Sequence, residues 1–178
     1  MAPTCIPCQQ SKVTRHCDSG IGTFPKPSRL FGHIHVDIVI MTPCQGKRYL
    51  LTIVDRSTRW VEAIPLEDIT ATTCASALLH GWIARFGVPD DVTSYQGKQF
   101  VSELWKSLSR LLGMQLHHTR AYRPAANGAV ERVHRVLKAS LMARNAADDW
   151  ITHLPSVLLG IRTMPCEGLN TSSAEMLY

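Results

Sequence analysis

Three short β-rich runs, residues 33–41, 48–54 and 59–64, follow one another with only Thr42-Pro43-Cys44-Gln45-Gly46 and Asp55-Arg56-Ser57-Thr58 between them. Connections that short join antiparallel neighbours and leave no room for a crossover, so this part of the chain predicts a meander. The pattern then changes. Ala75, Leu78, Leu79, Trp82, Ile83 and Phe86 recur at helical spacing, with Thr70 or Thr72 as candidate cap and Gly87 as stop. A brief strand follows at 90–94. Phe100, Leu104, Leu108, Leu111 and Leu112 mark a second helix ended by Gly113, and another strand at 114–118 leads into a loop at 119–127. A long helix over 128–144 buries Val130, Val133, Leu137 and Leu141. The last helix, 148–162, uses Ile151, Leu154, Leu158 and Ile161, with Asp148 and Asp149 in its first turn and Pro155 as a candidate bend. Three consecutive strands, then helices alternating with two more, predict an α/β fold: a five-stranded mixed sheet flanked by helices.

The 178 residues support one domain with a real core, residues 31–178, preceded by a stretch (1–30) short on apolar content and carrying Gly20, Gly22, Pro25 and Pro27. No apolar run is long enough to cross a bilayer, and the N-terminus lacks the apolar segment of a secretory signal. Six cysteines without dense regular spacing argue against a disulfide framework, so an intracellular, reduced protein is expected. Charge is concentrated. Between His117 and Arg144 there are six basic residues (Arg120, Arg123, Arg132, Arg135, Lys138, Arg144) and one acid, Glu131, a net +5 that equals the excess of the whole chain. Such a concentration suits a polyanion partner; a solvated helix face is the plainer alternative.

Asp37 lies inside the apolar run His33-Ile34-His35-Val36-Asp37-Ile38-Val39-Ile40-Met41. A mid-strand carboxylate costs stability unless it is paired or binds a metal. Glu131 has two ordinary explanations: a first-turn position if Gly128 is the N-cap, and an i,i+4 pair with Arg135. It also shares one helix face with Arg135 and Lys138, away from the apolar set, as a metal ligand beside phosphate-contacting cations would.

The segments His35-Val36-Asp37, Val54-Asp55-Arg56-Ser57-Thr58-Arg59-Trp60, Thr93-Ser94-Tyr95-Gln96-Gly97-Lys98-Gln99-Phe100, Ala121-Tyr122-Arg123-Pro124-Ala125-Ala126-Asn127-Gly128-Ala129-Val130-Glu131-Arg132 and Leu158-Leu159-Gly160-Ile161-Arg162-Thr163 strongly resemble the integrase catalytic core of gypsy-type LTR retrotransposons, kin to retroviral integrases. The resemblance implies an RNase H-like fold and three carboxylates holding two Mg²⁺ or Mn²⁺ ions for attack on a phosphodiester. Carried over by position, Asp37 matches the first acid and Glu131 the last, which makes them the catalytic and metal-binding candidates. Arg135 and Lys138, with Arg132, Arg123 and Lys98, are the implied DNA contacts. The second acid falls at Tyr95, 35 residues before Glu131 (131 − 95 − 1). The resemblance further implies a homodimer or higher homo-oligomer, a nuclear location if functional, and a C-terminal DNA-binding domain that this chain stops short of at Tyr178.

A neutral phenol binds Mg²⁺ poorly. Asp91 shares Tyr95's side of the strand, but four residues at about 3.3 Å put it roughly 13 Å away, against metal–oxygen distances of about 2.1 Å. Asp55 and Glu62 lie on neighbouring β-rich segments, at distances from Asp37 that sequence does not give. Ser57 and Val61 stand where the family usually has an aromatic and a proline. Cys5-Ile6-Pro7-Cys8 resembles half of the family's zinc module, whose two histidines would precede residue 1. Ligands adjacent at His16 and Cys17 suit tetrahedral zinc badly, so residues 1–30 read as a remnant and no zinc is expected. The expectation is a truncated, nucleic-acid-binding integrase core impaired in strand transfer. The alternatives are a residual Mg²⁺/Mn²⁺-dependent transferase or nuclease using Asp37 and Glu131, and a protein-interaction module.

Overall fold

Strand β1 (His33–Cys44) reverses into β2 (Lys47–Asp55), and β2 returns as β3 (Val61–Leu66). The first reversal is a two-residue loop, Gln45-Gly46, with both residues at positive φ, the hand that matches the twist of the strands it joins. The computed structural model describes residues 29–119, 124–143, 149–166 and 171–178, and of residues 119 and 124–130 the backbone alone. The second reversal is closed by Asp55. Its Oδ2 accepts hydrogen bonds from Thr58 N–H, Thr58 Oγ1 and Ser57 Oγ, while Arg59 takes a left-handed φ of 63°. That turn delays β3 to Val61, two residues past the expected start.

Strands β4 (Asp91–Tyr95) and β5 (Gln115–Thr119) run parallel to β1, in the order β3-β2-β1-β4-β5. The mixed sheet is therefore as expected, with β1 in its middle. Residues of β1 alternate between two apolar layers. Ile34 and Val36 face helix α1 (Ala71–Leu78), its continuation to Phe86, and α2 (Glu103–Leu112); Val39 faces α3 (Pro124–Ala143) and α4 (Trp150–Thr163).

Thr70 caps α1 by accepting from Thr73 N–H. The helix widens into a π-turn over Leu79–Ile83 before its last turn. Gly81 lies at the point where this turn meets β3, and a Cβ there would overlap Ile64 Cδ1. Ser102 caps α2 and Gly113, at φ 74°, ends it. The apolar face of α2 differs from the expected one. Trp105 and Ser109 are buried, whereas Leu104 and Leu111 are exposed, because the helix axis turns Trp105 rather than Leu104 onto Phe100. Helix α3 begins at Pro124, four residues earlier than expected; proline suits a first helical position, where its missing N–H has no partner to lose. Gly128 is consequently interior and not the cap. Helix α4 runs through Pro155, and Trp150 Nε1 anchors its start to the Thr42 carbonyl at 2.8 Å.

One buried ionic knot ties three elements together. Glu62 on β3 receives Arg162 of α4 at 2.7 Å, Arg85 at 3.0 Å and Trp60 Nε1 at 3.0 Å. The Arg162 guanidinium also donates twice to the Val61 carbonyl and stacks over Trp60 at 4.4 Å. Arg162→Ala should lower the urea-unfolding free energy by roughly 2–4 kcal/mol, since it takes from a buried carboxylate the more buried of its two cations and leaves the Val61 carbonyl without its guanidinium, and Arg162→Lys should recover less than half of that because an ammonium lacks the planar fork.

His35, 9% exposed, stacks on His33 with ring centroids 5.3 Å apart. Burial, then the charges of His33 and the neighbouring arginines, pushes its pKa down to about 4. The folded state thus favours neutral imidazole, and the stability this contributes is present above about pH 6.5 and lost as pH falls toward 4. Chemical denaturation at pH 7 and pH 4.5 should show that acid loss, on the order of 3 kcal/mol at most, shrinking in His35→Gln.

Candidate functional site

Asp37 sits at the centre of the α3-facing side of the sheet, flanked on both sides. Across the antiparallel pairing its partner is Thr52 on β2. On the other edge, β1 and β4 pair in parallel as His35 with Thr93 and Val36 with Ser94, and the next step of that register brings Tyr95 alongside Asp37. The strand alternation puts Thr52, Asp37 and Tyr95 in one row on the same face. Tyr95 is half exposed, at the carboxyl end of β4, where open α/β sheets offer their clefts.

Helix α3 passes over this row. Leu137 and Leu141 are buried in the layer beneath it, while Glu131, Arg135 and Lys138 are exposed, as the helical spacing predicts. Glu131 is in the third turn of α3, not the first, so the helix N-terminus does not account for it. What links α3 to the row is His134. Its Nε2 lies 2.7 Å from Thr52 Oγ1 and its Nδ1 lies 3.8 Å from Asp37 Oδ2. Burial lowers the His134 pKa from its ordinary value, with the Asp37 and Glu131 carboxylates opposing that shift and Lys138 adding to it. His134 thus feels both acids.

Sequence reasoning passed over His134. The available signal was its position three residues after Glu131 and three before Leu137, on the seam between the polar and apolar faces of the helix. Lys98 is exposed in the turn that follows β4. Arg132 is near enough to Arg59, in the 55–60 turn, for their charges to repel. Burial holds Arg59 below its ordinary pKa, and the Arg132 charge adds to that. Arg123 and the cysteines at 5, 8 and 17 lie outside the described residues.

The other acids near the sheet are committed. Asp55 closes its turn, Glu62 holds two arginines, and Asp91 accepts from His117 at 2.6 Å. Among the described residues no three His, Cys, Asp or Glu side chains converge as a metal cage. Two carboxylates on facing elements, with a phenol beside one of them, do not fit a two-ion centre of the kind the resemblance implies.

An integrase core domain model matches residues 27–124. The chain is 33% identical to the Pol polyprotein of Radiation murine leukemia virus over 93% of its own length and 29% of that protein's. It is 37% identical to the Gag-Pol polyprotein of Koala retrovirus over 89% of its length and 10% of that protein's. The chain therefore spans less than a third of these relatives. Among solved structures, the catalytic core domain of BIV integrase superposes with a TM-score of 0.68 at 22% identity, covering 82% of this chain and 93% of that one. The HTLV-2 integrase catalytic core domain in complex with magnesium superposes with a TM-score of 0.66 at 16% identity, covering 83% and 97%. They share the five-stranded RNase H-like sheet with flanking helices, and by the sequence match the chain belongs to the integrase core domain family.

Proposed function

We propose that this chain is a nucleic-acid-binding integrase core of the gypsy-type LTR retrotransposon lineage, impaired in DNA strand transfer. Asp37 and Glu131 are its first and last catalytic acids, and Tyr95 stands where the second would be. The observation that carries the reading is the row Thr52–Asp37–Tyr95, which supplies one carboxylate where the lineage's chemistry needs two on neighbouring strands. A cation pair in such a cage neutralises charge developing on the attacking and leaving oxygens. Without the second wall no step of that kind is assigned to this chain.

The binding half of the reading rests on Lys98, Arg132, Arg135 and Lys138, all exposed, and extends to Arg123. Arg135 and Lys138 on one helix face beside the acid row suit a phosphate backbone approaching the site. Self-association into a dimer or higher oligomer belongs to the same reading. It is supported by the trimeric form of the HTLV-2 core and by the intasome of simian T-cell lymphotropic virus, which superposes with a TM-score of 0.74. A residual Mg²⁺- or Mn²⁺-dependent transferase is the second reading. It is favoured by Asp37 keeping Oδ2 turned away from its backbone contact. No described helix is long and apolar enough to cross a membrane.

If four cations each neutralise one phosphate, affinity for duplex DNA should fall roughly a hundredfold between 50 and 200 mM salt. The double variant Arg135→Glu/Lys138→Glu should bind too weakly to measure in fluorescence anisotropy, and an unchanged affinity would refute the assignment. In a Mn²⁺-dependent nicking assay on a DNA end, Tyr95→Asp should raise the rate roughly a hundredfold or more over the unmutated chain. An unmutated chain already as active as the variant would refute the impairment.

A further inference from the structure

The outer side of α2 carries two leucines that the core does not use. Leu104 is 44% exposed and Leu111 82%, while Trp105 and Ser109 on the opposite side are buried. At about 100° per residue the two leucines sit within roughly 20° of each other around the helix, with exposed Ser107 between them along it. Val101 extends the apolar strip just ahead of the Ser102 cap. The neighbouring strip is charged. Glu103 receives Arg110 at 2.6 Å and Lys106 at 3.8 Å, and the Arg110 guanidinium folds back past Ser107 to reach it.

This face is complementary to itself turned end over end. Leu104 and Leu111 are seven residues apart (111 − 104), as are Glu103 and Arg110 (110 − 103), which is about 10.5 Å along the helix for both pairs. The two midpoints fall together at Ser107. A second α2 laid antiparallel on the first, with a two-fold axis at Ser107, sets Leu104 against Leu111 twice and Glu103 against Arg110 twice. A parallel second copy would instead oppose like charges. Serine at the crossing point lets the helices approach closely. The Glu103–Arg110 pair within one chain is highly exposed and such pairs are worth little, so exchanging it for pairs between chains costs little.

We propose that the outer face of α2 is a self-association surface whose occupant is the α2 of a second copy of this chain. The proposal rests on the self-association within the proposed function and gives it a surface. A single ten-residue helix falls short of the roughly 800 Å² per partner of a standard interface, so the contact is weak and reversible. Helix α2 packs on the Ile34 and Val36 side of the sheet, whereas α3 packs on the other. Two chains joined this way keep both acid rows and both basic faces of α3 open to nucleic acid.

Sedimentation velocity on the full chain, from micromolar to near-millimolar concentration, tests this. The weight-average mass should rise with concentration, and Leu104→Ser/Leu111→Ser should raise the dissociation constant about tenfold or more. The charged strip gives the sharper arm. Glu103→Arg sets cations against cations across the two-fold axis, and Arg110→Glu sets acids against acids, so each variant alone should lose the association. Mixed one to one they should recover it, because every cation then meets the other chain's acid. All four side chains are exposed, and near-ultraviolet circular dichroism checks that each variant keeps the fold. An association that the leucine variant leaves unchanged, or a mixture no stronger than its components, would overturn this surface and leave self-association itself standing. A chain that stays monomeric throughout would overturn both. Neither result touches the salt-dependent DNA affinity on which the binding reading is tested.

Discussion

The position of β1 governs the rest of this molecule. Among the described strands it alone is paired antiparallel on one edge and parallel on the other, with β2 and β4 as its neighbours. The antiparallel edge delivers Thr52 and the parallel edge delivers Tyr95, both to the face on which Asp37 sits. A slip of one residue in either register would turn its contribution to the opposite apolar layer, so the hydrophobic alternation of Ile34, Val36 and Val39 fixes the chemistry of the row as firmly as it fixes the core.

The second layer of control comes from what the remaining charges are doing. Asp55, Glu62 and Asp91 are each bonded to a partner that supports the fold: a turn, a pair of arginines, a histidine on the edge strand. Moving Asp55 or Glu62 toward Asp37 would leave a buried group unpaired, whereas Asp91 belongs to an exposed pair and is held out by distance along its strand. Among the described residues the fold therefore offers no ready substitute for the second acid of the proposed site. His134 differs, since it leans on the row through Thr52 at 2.7 Å and keeps its Nδ1 3.8 Å from Asp37 Oδ2.

Much of this was legible in the residues themselves. The meander followed from turns too short for a crossover, and Thr70, Gly87 and Gly113 acted as the helix punctuation they resembled. Asp37 stood out because an acid in an apolar strand has to be accounted for. The failures have physical causes too. Helix α3 starts at a proline, which reads as a breaker unless its first-turn tolerance is weighed, and that shift alone changed the meaning of Glu131 from a helix-end charge to a mid-helix one. Leu104 and Leu111 fitted a helical period that packing against Phe100 rotated away. His134 was invisible because its significance lies in a cross-strand partner, Thr52, whose register only the folded sheet defines.

In the proposed reading the central strand presents Asp37 with Tyr95 beside it where a second acid is needed. The most direct measurement is anomalous diffraction from crystals soaked in Mn²⁺. It should show at most one ion at Asp37, with Tyr95 outside its coordination sphere. Two peaks bridged by Asp37, with a third carboxylate completing the pair, would contradict it.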